Sequence, residues 1–156
     1  MAYCRKCGAL IDDYAAVCPK CGTPQNGGPN NPPPAADNGG VVGRMTVSGT
    51  IRGCTNNAAV TGVDAGGNTG GIVGAAYYTA VGEEMLIENC TNTGAVTGYV
   101  GVGGIVGLSS ANVKNCTNSG AVNGNGACVG GIVGEQQNYG AVSDNVNTAD
   151  VANASE

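Results

Sequence analysis

Four of the eight cysteines lie in the first 24 residues, as Cys4-Arg-Lys-Cys7-Gly8 and Cys18-Pro-Lys-Cys21-Gly22, with ten residues between the two pairs. Four thiolates at this spacing can close a tetrahedron around one Zn2+ and leave no open position. The Gly after each second Cys lets a knuckle turn tightly, so that backbone N–H groups point at the sulfurs. Lys6 and Lys20 offset part of the thiolate charge. A segment whose apolar residues are Leu10, Ile11, Tyr14 and Val17 cannot fold on burial alone, so the metal is expected to be its core. Two disulfides, or a redox Cys-x-x-Cys, are the rival readings; the second lacks a surrounding βαβ pattern. Catalytic zinc keeps a water and commonly uses His or carboxylate ligands, and this chain has no His. The expected cofactor is therefore one structural Zn2+ on Cys4, Cys7, Cys18 and Cys21.

Other reactive residues are weaker candidates. Cys54, Cys90 and Cys116 each open a Cys-Thr-Asn phrase, and Cys128 is extra. Stacked, the three could form a second soft-metal site or one disulfide, but small buried apolar side chains are the better expectation. Simple alternation would put them on the face of Arg52, Glu88 and Lys114 unless a turn at the preceding Gly or Asn reverses it. No Ser or Cys has an identifiable base, so the chain is not expected to be an enzyme. Chemistry would have to come from carboxylates such as Glu83 and Glu84 with Asp64. Tyr77 and Tyr78 are the best candidates for a binding contact, since Tyr is favoured at interfaces; ordinary packing of loops on the flank is the alternative.

The elements that hold these residues follow from a repeat. Gly-Gly-Ile-Val-Gly occurs at Gly70–Gly74, Gly103–Gly107 and Gly130–Gly134, alternating with the Cys-Thr-Asn phrases. The first phrase recurs after 33 and 27 residues and the second after 36 and 26, an irregularity traced mainly to an insertion from Ala75 to Met85. Short β-branched segments separated by Gly and Asn read as strands and turns, and no stretch keeps a helical period. Each unit is too small to bury its own apolar face, so the copies must stack. The final Gly of the phrase is expected to end its strand. Residues 144–151 read as a degenerate last copy that blunts the open end. The fold class is mainly β: a zinc ribbon at 1–24, a flexible Pro/Gly/Asn-rich linker at 25–44, and a β-solenoid of about three coils at 45–152.

The N-terminal pattern resembles the short zinc ribbon found at the start of many bacterial proteins. The alternation of Gly-Gly-Ile-Val-Gly with Glu-Asn-Cys-Thr-Asn-Thr-Gly-Ala-Val-Thr-Gly resembles the GLUG repeat of bacterial surface proteins, adhesin-like proteins and some immunoglobulin A peptidases. That resemblance covers about 100 residues. It implies a β-solenoid with an accessory, binding or spacing role.

Composition bounds the rest. The chain has 29 Gly and no Phe or Trp, so its core is built of small side chains, and with only 11% charged residues Asn and Thr are expected to supply the polar surface. Residues 25–156 hold Arg44, Arg52 and Lys114 against nine carboxylates. Without clustered cations, nucleic-acid binding by the repeats is not expected. No run is long and apolar enough for a membrane helix. The start has no apolar h-region, so no signal peptide is expected. With a tetrathiolate site and further unpaired cysteines this points to a cytoplasmic protein. The functional expectation is a non-enzymatic, zinc-binding interaction or structural protein whose partner is a protein or glycan. Alternatives are a fragment of a bacterial cell-surface adhesin-like protein, a glycan-acting β-helix enzyme, and an ice-binding solenoid using the Thr55, Thr91 and Thr117 ladder.

Overall fold

The computed structural model describes residues 2–3, 7, 10–11, 20–21, 36–63, 65–77, 84–137 and 140–154. The chain divides into two compact units, Met1–Ala35 and Ala36–Glu156. In the first, β1 (Ala2–Tyr3) pairs antiparallel with β2 (Leu10–Ile11), Tyr3 lying opposite Leu10. The first Cys-x-x-Cys-Gly falls between these two strands.

The second unit is a parallel β-solenoid of about four coils. The first coil runs through β3 (Asn38–Gly39), β4 (Val42–Met45), β5 (Gly49–Arg52), β6 (Thr55–Asn56) and β7 (Val60–Thr61). The second comprises β8 (Thr69–Gly70), β9 (Val73–Ala76), β10 (Met85–Glu88), β11 (Thr91–Asn92) and β12 (Val96–Gly98). The third comprises β13 (Val102–Gly103), β14 (Val106–Ser109), β15 (Asn112–Lys114), β16 (Thr117–Asn118) and β17 (Val122–Gly124). The fourth comprises β18 (Val129–Gly130), β19 (Val133–Gln136), β20 (Val142–Ser143), β21 (Val146–Asn147) and β22 (Val151–Asn153). Every strand pairs in parallel with its equivalent in the next coil, so five sheets run along the stack. No helix occurs among the described residues.

Register follows the repeat phrases. Ile51, Ile87, Val113 and Val142 stand in one ladder, Val42, Val73, Val106 and Val133 in another, and Val60, Val96, Val122 and Val151 in a third. A slip of one residue would turn each ladder out to water, so the apolar pattern locks the pairing. Among the described residues the interior holds two apolar clusters. One contains Ile72, Val73, Met85, Ile87, Ile105, Val106 and Val113, and the other Val96, Val102 and Val122.

The mainly-β solenoid and zinc-ribbon reading stands, with four coils rather than three. The additional coil begins inside residues 25–44, which composition assigns to a linker. Gly39-Gly40-Val41-Val42-Gly43 is a variant of Gly-Gly-Ile-Val-Gly, and Val42 pairs with Val73. The solenoid therefore starts before residue 45, while residues 25–35 lie outside the described residues. The degenerate tail forms the other end: Val146 pairs with Thr117 and Asn147 with Asn118. The insertion is narrower than Ala75 to Met85, because Ala75, Ala76 and Met85 are in strands; the extra residues fall at 77–84.

Glycine placement also differs from expectation. The last Gly of each phrase sits inside its strand, not at its end. A Cβ on Gly107 would stand 2.5 Å from the carbonyl oxygens of Gly74 and Gly101, so that position holds coils at close approach.

Candidate metal centre and solenoid interior

The register of β1 and β2 leaves residues 4–9 between the strands, and Cys7 is exposed at a turn. Cys21 is half-buried and lies in a second turn with Lys20. Cys4 and Cys18 lie outside the described residues. A hairpin that brackets one knuckle, a turn at the other and a donor set of four thiols suit a closed tetrahedral Zn2+ site.

The repeat cysteines face inward. Backbone φ is positive at Gly53 (63°), Asn89 (53°) and Asn115 (52°), immediately before Cys54, Cys90 and Cys116. This left-handed turn reverses the alternation that would otherwise expose the thiols, and Asn tolerates it better than most residues with a Cβ. Cys90 and Cys116 are fully buried in the larger apolar cluster, and Cys54 is half-buried at its edge. Cys90 Sγ donates to the Glu88 carbonyl at 3.3 Å, and Cys116 Sγ to the Lys114 carbonyl at 3.3 Å. The hydrogen bond with the Cys116 side chain, then burial, pushes the Cys90 thiol well above its ordinary range. Burial, and then the neighbouring Cys90, push Cys54 up as well. These are packing thiols. Cys128 is exposed, with φ at 64° where the preceding coil has Gly101.

Two buried polar ladders were not legible as such in the sequence. Asn56, Asn92, Asn118 and Asn147 stack through the interior. Asn56 Nδ2 donates to Asn92 Oδ1, Asn92 Nδ2 to Asn118 Oδ1, and Asn118 Nδ2 to Asn147 Oδ1, each at 2.8 Å. Each Nδ2 also donates to the carbonyl two residues on, at Ala58, Gly94, Gly120 and Ala149. Buried amides need such partners, and here both amide protons find one in the first three coils. The expectation that Asn is chiefly surface is thus corrected: Asn92 and Asn118 have no exposed area.

The second ladder is charged. Arg52, Glu88 and Lys114 are register partners, and buried Glu88 lies between the two cations. The Arg52 guanidinium contacts Glu88 Oε1, and Lys114 Nζ is 3.2 Å from Oε2. The Lys114 hydrogen bond first, and the Arg52 hydrogen bond against the opposing effect of burial, hold the Glu88 carboxyl below its usual range. Opposite signs at one repeat position were the available signal. The arrangement neutralises a carboxylate rather than activating it.

Of the proposed contact residues, Tyr77 is half-buried. The Arg44 guanidinium carbon lies 5.5 Å from the centre of the Tyr77 ring, and the Tyr77 backbone N–H donates to the Met45 carbonyl at 3.1 Å. Tyr78 lies outside the described residues, as do Glu83 and Asp64. Glu84 is exposed beside a shallow recess lined also by Leu86, Asn112, Lys114 and Ser143. Among the described residues no three His, Cys, Asp or Glu side chains converge as metal ligands.

Residues 3–25 match the family model of the zinc-ribbon domain. The chain matches no curated protein and no solved structure. The part of the chain that can be placed in a family is therefore the segment carrying the two knuckles.

Proposed function

We propose that the chain is a non-enzymatic zinc-binding interaction protein, with a ribbon that holds one partner and a solenoid that positions or spaces a second. The observation that carries this reading is the zinc-ribbon match over residues 3–25, with the β1–β2 register bracketing the first knuckle. Cys4, Cys7, Cys18 and Cys21 would hold one Zn2+, which as a closed site supplies a cross-link and no reaction. The solenoid interior is filled by Val, Ile, Asn and backbone, which favours a stiff scaffold. Its phrases resemble GLUG repeats, in keeping with a binding or spacing role toward a protein or glycan.

The contact is assigned to the segment between β9 and β10, which includes Tyr78 and is longer than its counterpart between β14 and β15. Tyr77, packed under Arg44, anchors its base. Thiols at Cys54, Cys90, Cys116 and Cys128 that form no disulfide, together with a tetrathiolate site, favour a reducing compartment and hence the cytoplasm. Recovery from the cell surface would favour the adhesin-like alternative.

Replacing residues 78–83 with a short Gly linker tests the loop. The variant should melt like the parent and lose partner capture; unchanged capture would place the contact elsewhere. Product released from a polysaccharide panel, and lost in Glu84→Gln, would overturn the non-enzymatic reading.

A further inference from the structure

We infer that the fourth coil of one molecule docks on the first coil of a second copy, giving head-to-tail solenoid stacking. Val142 and Val151 are each 44% exposed, whereas their ladder partners Val113 and Val122 are fully buried. Positions that are interior in the middle coils are thus open on the last one. A coil edge with unpaired backbone and open apolar ladders is a template for another strand set.

The first coil has the complementary chemistry. Along the interior ladder each Asn donates toward the following coil, and among the described residues Asn147 Nδ2 donates only to the Ala149 carbonyl. Asn56 Oδ1 accepts from its own Ala58 N–H at 3.2 Å but, among the described residues, lacks the amide donor that Asn92 and Asn118 receive. Backbone bonds between coils run both ways, and at one repeat position they follow the Asn sense: Val41 N–H donates to the Ile72 carbonyl, Ile72 to Ile105, and Ile105 to Ile132. The next bond in that series joins Ile132 N–H to the Val41 carbonyl of a second copy. An open recess on the first coil is lined by Asp37, Asn38, Gly40, Asn56 and Ala58.

Charge favours the same partner. Residues 129–153 contain Glu135, Asp144 and Asp150 and no cation, whereas residues 36–61 contain Arg44, which also pairs with Asp37, and Arg52, which pairs with Glu88 of the second coil. Arg44, Ala75, Leu108 and Glu135 share one ladder, so stacking in register brings Glu135 beside Arg44 of the next molecule. The two faces differ, so the contact is heterologous and does not close at a dimer.

Sedimentation of the full chain over a range of concentrations tests this. The parent should form dimers and longer species, weakened as salt screens the Glu135–Arg44 pair. Val151→Lys blocks one face and Val60→Lys the other, and each alone should weaken association about tenfold or more, because the contact would bury a charge. Mixed, the two variants retain one good face each and should form one-to-one dimers and nothing larger. Glu135 is half-buried and belongs to neither apolar cluster, so Glu135→Arg should weaken association even where a Lys variant fails to fold. A parent that stays monomeric throughout, as it would if a segment of its own chain covered the face, overturns the inference. So does association that survives Val151→Lys and Glu135→Arg unchanged, or variants that do not complement one another.

Discussion

Gly71 lies against the side-chain amide of Asn92: a Cβ on Gly71 would stand 2.4 Å from Asn92 Cγ. The same relationship joins Gly104 to Asn118 and Gly131 to Asn147, each also at 2.4 Å. It explains why the two repeat phrases travel together. The second Gly of Gly-Gly-Ile-Val-Gly carries no side chain because the Asn of Cys-Thr-Asn fills that space. Removing the Asn forfeits a hydrogen-bonded column, and adding a Cβ at the Gly displaces it.

Asn92→Ala should therefore destabilise the solenoid by about 2–4 kcal/mol, since it deprives Asn56 Nδ2 of an acceptor and Asn118 Oδ1 and the Gly94 carbonyl of a donor. Equilibrium denaturation of parent and variant measures this. A change within about 0.5 kcal/mol, the range of ordinary surface substitutions, would show that the column contributes little.

How much of this was readable from residues alone depends on what each residue type usually signals. The Ile72, Ile105 and Ile132 series was legible, because apolar periodicity is local, whereas the facing of the Cys series stays open in the sequence and is decided by the positive φ at Gly53, Asn89 and Asn115. The Asn column was not legible. Asn is ordinarily a surface or turn residue, and only its packing on Gly71, Gly104 and Gly131 across the interior reveals burial. The first coil was hidden for a related reason: Val41 replaces Ile in its phrase, and Pro, Asn and Gly beside it read as linker. In the candidate metal centre, spacing supplied the proposed donor set, whereas nothing in the sequence announced that Arg44 would pack on Tyr77.

Thr69 offers a stabilising substitution. Its hydroxyl is fully buried and, among the described residues, has no hydrogen-bond partner, while its ladder partner Val102 carries methyl groups at the equivalent site. Thr69→Val should raise stability by about 1 kcal/mol by removing an unsatisfied polar group without changing shape. Thermal and denaturant midpoints would both rise; a fall in either would indicate that the hydroxyl has an unseen role.

Glu88 should make stability depend on pH in one direction. Its folded-state pKa lies below the ordinary 4.5, so the unfolded chain binds the proton more readily. The stabilisation is fully present above that ordinary value and is lost as pH falls through the folded pKa. Comparing denaturation midpoints of the parent and Glu88→Gln from neutral to acid pH, the gap between them should be widest near neutrality and shrink below about pH 4, close to the carboxylate reference value. A gap independent of pH would mean that the carboxylate charge is not what Arg52 and Lys114 recognise.

The zinc content of the purified chain, measured before and after chelation alongside the far-UV spectrum, tests the central proposal most directly. One Zn2+ per chain is expected, lost with chelator or with Cys7→Ser, while the β-signal persists because the interior ladders lie within residues 38–153. Zero or two zinc ions per chain, or collapse of the solenoid signal when the metal is removed, would contradict the account.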